Sequence, residues 1–110
     1  MMGPKEFAEA CRQERDAMLA LYADAGGGSA VGERLRAAGL SENQTKEVFA
    51  ALNGALTDAF YTVLLALDGS AALGGQQQTF QLADQHGTPI ASGDGRLESA
   101  AWVALQQDQD

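Results

Sequence analysis

The stretch SENQTKEVFAALNGALTDAFYTVLLALDG, residues 41–69, decides the fold. It opens on Ser41-Glu42-Asn43-Gln44, a capping box in which the serine hydroxyl accepts from the amide three residues on and the glutamine reaches back. It closes on Asp68-Gly69, a helix stop. Between them Phe49, Leu52, Leu56, Phe60, Val63, Leu64 and Leu67 recur at helical spacing and form one stripe roughly 120° wide. Asn53, Thr57, Asp58, Tyr61 and Thr62 fall largely on the opposite side. Ala51, Ala55 and Ala59 line a flank where another helix can come close. About 27 residues at 1.5 Å each make a rod of roughly 40 Å, against a radius of gyration near 13 Å for a compact chain of about this size. The spacing predicts a central helix that nearly spans the molecule or reaches into a partner subunit, with its leucine side sheltered.

The flanking segments read as elements packed around that rod. A first helix is predicted over 4–23, with Pro4 in the first turn, where a missing N–H costs nothing. Phe7, Cys11, Met18, Leu21 and Tyr22 share one face, and Glu14 falls inside it. Glu9, Arg12, Gln13, Arg15 and Asp16 are read as the solvated side. The run Gly26-Gly27-Gly28-Ser29 ends this helix, and Ser29 caps a short second one that stops at Gly39.

Beyond Asp68 the period changes. Gln78, Phe80 and Leu82 alternate with Thr79 and Gln81 as in a half-buried strand. Asp84-Gln85-His86-Gly87 is a turn and Pro89-Ile90-Ala91 a return strand, so a β-hairpin is predicted over 76–92. Leu97, Ala101, Ala104 and Leu105, with Trp102 beside them, suit a C-terminal helix over 95–106, although Trp102 and Val103 also favour a strand. The tail after Leu105 is expected to fray. The fold class is therefore α+β and helix-dominated: one domain over 1–110, helical through residue 67, with a long central helix packed by shorter helices and one hairpin.

Charge narrows the function. The net charge is −8, and its placement is uneven. Residues 1–46 hold seven acids and six bases, whereas residues 47–110 hold eight acids and a single base, Arg96. A half so poor in cations argues against nucleic acid and anionic lipid as partners, both being polyanions, and is compatible with a cationic protein. The strongest apolar run, Phe60 to Leu67, is far shorter than the roughly 20 residues of a membrane span. No start segment reads as a secretion signal. A cytoplasmic protein with no membrane partner is expected.

The search for chemistry finds no catalytic set. There is no Gly-x-Ser-x-Gly elbow. Cys11 falls on an apolar face, where a cysteine packs as a small hydrophobe. His86, the only histidine, lies in a turn. One His and one Cys cannot close a zinc site, and the turn-flanking Asp68, Asp84 and Asp94 are more simply explained by Asp side chains bonding nearby amides. Gly27 and Gly32 have P-loop spacing, but Glu33-Arg34 stands where that loop needs Lys and then Ser or Thr. No catalytic residue, metal or cofactor is expected.

The leading expectation is a non-enzymatic interaction module, such as an inhibitor, an immunity protein or an accessory subunit. It would meet a basic protein surface through Asp68, Asp84, Asp94 and Glu98. An alternative from another class is a small-ligand domain or modest enzyme with a polar pocket formed by Glu14, Asp58, Tyr61 and Thr62. A third is a homodimer joined along the central helix.

Overall fold

A computed structural model describes residues 2–107. In chain order the elements are α1 (Pro4–Ala23), α2 (Ala30–Ala37), α3 (Glu42–Leu67), β1 (Leu82–Ala83), β2 (Pro89–Ala91) and α4 (Arg96–Leu105). The domain is helix-dominated α+β, with four helices and one two-stranded antiparallel sheet among the described residues.

The capping box starts α3 as its sequence requires. The Gln44 amide donates to Ser41 Oγ at 3.1 Å, and the Ser41 amide donates to Gln44 Oε1 at 2.9 Å. The helix then runs 26 residues without a break. It lies in a molecule of 46 × 29 × 26 Å, whose Cα radius of gyration of 16.2 Å exceeds the roughly 13 Å of a compact chain of about 100 residues.

Elongation follows from an uneven core. Ala8, Leu64, Ile90, Ala91, Leu97, Ala101, Ala104 and Leu105 form one buried cluster, so the core sits where the C-terminal half of α3 meets α4, β2 and the N-terminal half of α1. Leu64, Leu97 and Leu105 are its largest fully buried side chains, each contributing about 1.5–3 kcal/mol of burial. Ala8 and Ala101, both at 0% exposure, have side chains small enough to let helix axes approach the short end of the usual 8–10 Å. The leucine stripe of α3 is sheltered less than expected. Leu64 is buried, Phe49, Leu52, Leu56, Phe60 and Leu67 are half-buried, and Val63 is exposed.

Three further expectations need correction. The inward face of α1 keeps Phe7, Cys11, Met18 and Tyr22 as expected but turns toward Arg15 and away from Leu21. Arg15, read from the sequence as solvated, is buried, while Glu14 and Leu21 are exposed. Phe7, Ala8, Cys11, Arg15, Met18 and Tyr22 are inward positions. The Arg15 guanidinium donates to Asp16 Oδ1 from Nε at 3.0 Å and to Thr57 Oγ1 on α3 from Nη1 at 2.8 Å, which answers the cost of burying a cation.

The strand expected from residue 76 joins β2 only at Leu82–Ala83, where Leu82 faces Ala91 and Ala83 faces Pro89 across a register shift, while Gln76 bridges back to Leu73. The partner strand ends at Ala91, because the chain then bends into α4. Residues 77–81 accordingly have no ladder to join. Finally, Gln106 and Gln107 do not fray: both amides donate to the Trp102 carbonyl at 2.9 Å. Residues 108–110 of the expected tail lie outside the described residues.

By length and composition α3 is also the one helix among the described residues apolar enough to cross a membrane, with an 18-residue window of mean hydropathy 1.5, of which 11% is buried. An uninterrupted apolar run understates this, because alanines spaced between polar residues raise the mean.

Candidate interaction surface

The site is built from Asp68 outward. This residue caps the C-terminus of α3 and is only 4% exposed. Its Oδ1 accepts from the Gly93 amide and its Oδ2 from the Glu98 amide, each at 3.0 Å. Glu98 is the third residue of α4, so its amide is one of the four that a helix start leaves without an intrahelical partner. The N-cap position of α4 is Gly95, which has no side chain to supply the acceptor. Asp68 supplies it from a different element, and its negative charge lies at the positive end of the helix dipole. Position 93 calls for glycine, because its φ is +79° and a Cβ there would stand 3.0 Å from Thr79 Cγ2. Asp68 is therefore an internal organiser of the segment 93–98, not a surface contact.

That segment presents Asp94 and Glu98 to solvent. Asp94 Oδ1 accepts from the Arg96 amide at 3.1 Å, and its Oδ2 lies 3.4 Å from Arg96 Nε in an exposed ion pair. The Glu98 carboxylate makes no ion pair among the described residues.

The same turns of α4 carry its outer face. Leu97, Ala101, Ala104 and Leu105 are inward, which leaves Ser99, Trp102 and Val103 outward. Trp102 is 52% exposed and Val103 59%. The Trp102 ring meets Tyr61 of α3 with centroids 6.4 Å apart and planes tilted by 59°, a favourable aromatic geometry. Tyr61, Asp94, Glu98, Ser99, Trp102 and Val103 line a shallow depression of about 570 Å³. A second, of about 480 Å³, adjoins it across Ser99 and Val103 and reaches Lys5 and Glu9 on α1.

Of the acids expected to meet a partner, Asp94 and Glu98 thus share one face and Asp68 lies beneath it. Asp84 is elsewhere, at the hairpin turn, where its carboxylate accepts from the His86 and Thr88 amides at 2.9 Å and from the Met2 amide at 3.3 Å. Those bonds, that of Thr88 foremost, hold its pKa below the usual aspartate value.

The residues expected to form a polar pocket are dispersed. Tyr61 joins the depression at Trp102, whereas Asp58 lines a different one of about 300 Å³ with Thr57 and Leu105. Glu14 and Thr62 are exposed and line neither. A more apolar cavity of about 310 Å³ lies between α1, α2 and α3, lined by Tyr22, Leu35, Arg36, Leu40 and Phe49 among others.

Cys11 is half-buried, and burial pushes its thiol pKa up, the opposite of what a nucleophile requires. Among the described residues no three His, Cys, Asp or Glu side chains gather as a metal site.

Trp102 is the site residue that charge-based reasoning passes over. Its signal is a large aromatic one position outside the arc defined by Leu97, Ala101, Ala104 and Leu105. No protein-family model, curated protein or solved structure matches the chain.

Proposed function

We propose that this protein is a small, non-enzymatic, cytoplasmic interaction module, an inhibitor, immunity or accessory protein, that engages a basic protein surface through the outer face of α4. The observation that carries this reading is a half-exposed tryptophan bordered by two solvent-facing carboxylates. Tryptophan and tyrosine are the residue types in which interface energy concentrates. A chain of net charge −8 steers a cationic partner toward contact and accelerates association at low salt.

The test is capture of a basic protein from host lysate by wild type, Trp102→Ala and Asp94→Lys/Glu98→Lys, with Glu33→Lys as a charge control on α2. Capture should weaken with salt and survive Glu33→Lys. It should fall about thirtyfold with Trp102→Ala, the scale of a central interface residue. Capture equal across all four proteins, or indifferent to salt, overturns the reading.

A second reading, self-association along α3, is favoured by a different observation: the helix is apolar yet little buried within the chain. Its outer side presents Ala51, Gly54, Ala55, Ala59, Thr62 and Val63, with Asp58 the one charge among them. Light scattering decides between one chain of 11.5 kDa and two.

A further inference from the structure

We infer that the depression at Trp102 receives an arginine side chain of the partner in preference to a lysine, an inference that rests on the interaction reading above and narrows it. Three features of the site point to a guanidinium. The exposed part of the Trp102 ring supplies an aromatic surface, and a planar guanidinium stacks on such a surface while an ammonium keeps its water. Asp94, just before the N-cap of α4, and Glu98, in its first turn, both border the depression, and carboxylates accept from the five-donor fork of a guanidinium. Asp94 already accepts a guanidinium of this chain: Arg96, which does not line the depression, pairs with it while remaining 79% exposed. Glu98 has no such pair among the described residues, which leaves a second carboxylate at the rim beside the ring.

The surface is acidic where an arginine-bearing segment is basic, and the aromatic pair supplies what charge alone does not, a reason to discriminate between two cations of equal charge.

Trp102 is the only tryptophan, so its emission reports occupancy of the depression directly. The experiment titrates full-length protein at low salt with two uncharged-capped decapeptides, one alternating Arg and Gly and one alternating Lys and Gly. The Asp94→Asn/Glu98→Gln variant is titrated in parallel. Both substitutions keep hydrogen-bonding capacity and remove charge, and the Glu98 amide that Asp68 holds is untouched. Circular dichroism confirms the fold.

The expected result is a saturable change in Trp102 emission, with the arginine peptide bound about three- to fivefold tighter than the lysine peptide. In the variant both peptides should weaken. Equal affinity of wild type for the two peptides overturns the arginine inference and leaves the interaction reading standing. So does undiminished arginine binding by the variant. Absence of a saturable change with either peptide up to millimolar concentration overturns both for this face.

Discussion

Replacing Asp68 with alanine should unfold the protein far more easily than its place at a helix end suggests. The side chain makes two bonds to backbone amides, Gly93 and Glu98, at 3.0 Å each, and is 4% exposed. A hydrogen bond to a charged group contributes about 1.5–3 kcal/mol net. Loss of a helix N-cap costs about 1 kcal/mol, and the Glu98 bond is such a cap, so the two figures overlap and must not be added in full. Both amides are only partly buried, so water can recover some of the loss. Taking the low end for each bond gives about 3 kcal/mol. For a domain of about 100 residues this corresponds to a fall in Tm of more than about 10 °C.

Urea unfolding followed by far-UV circular dichroism and by Trp102 emission measures the change, with the slope m unchanged if the transition stays two-state. Asp68→Asn should fall between wild type and Asp68→Ala, because the amide oxygen keeps one acceptor while the amide nitrogen faces a second donor. A loss under about 0.5 kcal/mol for Asp68→Ala would refute the reasoning, since surface substitutions without such bonds lie in that range.

Three other changes are expected to read out distinct parts of the fold. Gly32→Ala puts a Cβ 2.9 Å from the Tyr22 carbonyl oxygen, which should lift α2 off α1 at a cost of about 1–3 kcal/mol; faster proteolysis within 26–40 checks it, and a cleavage pattern like that of wild type counts against it. Asp84→Asn should lower the Tm at neutral pH but matter little in acid. The folded pKa of Asp84 is depressed, so its stabilisation is present above the ordinary aspartate value of about 3.9 and is lost as pH falls through the folded value; a gap between the two proteins that fails to narrow on acidification sinks this. Cys11, with its pKa raised by burial, should react with a thiol reagent at pH 8 at least about tenfold more slowly in the native protein than in denaturant, and equal rates would contradict its placement.

The elements that local chemistry determines were legible in the sequence. The capping box and the stop at Asp68 delimit α3 because each signal is complete within four residues. The four inward residues of α4 define its face in the same way. Helix α1 shows where local signals end. The expected face, through Phe7, Cys11, Met18, Leu21 and Tyr22, and the observed one, through Phe7, Ala8, Cys11, Arg15, Met18 and Tyr22, share four residues and differ by less than the roughly 100° of one residue's rotation. Choosing by hydrophobic size favours the first, which encloses Glu14. The second is correct because Ala8 is small enough to lie in the core, and Arg15 follows it inward with its donors turned to Asp16 and Thr57. The hairpin fell short for a related reason. Alternation of Gln78, Phe80 and Leu82 describes a strand, but a ladder needs a partner, and the partner's length is set by where α4 begins. At the site, charge drew attention to Asp68, Asp94 and Glu98 alike. Only the long-range bonds from Gly93 and Glu98 separate the buried organiser from the two acids it positions.

This separation also gives the strongest ground for seeking function on α4. Glu98 has two tasks that fall on different atoms: its amide is held by Asp68, and its carboxylate faces solvent. Folding needs the first and is indifferent to the second. The outer face is less constrained: Leu97, Ala101, Ala104 and Leu105 seat the helix, Trp102 has only its ring contact with Tyr61 among the described residues and leaves half its surface exposed, and Val103 is 59% exposed. At 103 an alanine or a lysine would satisfy the scaffold and improve solubility, whereas at 102 it would cost only the contact with Tyr61. Positions where the fold tolerates a cheaper residue and the chain instead carries exposed aromatic surface, beside carboxylates fixed in place by a buried one, are where a binding partner would exert its demands.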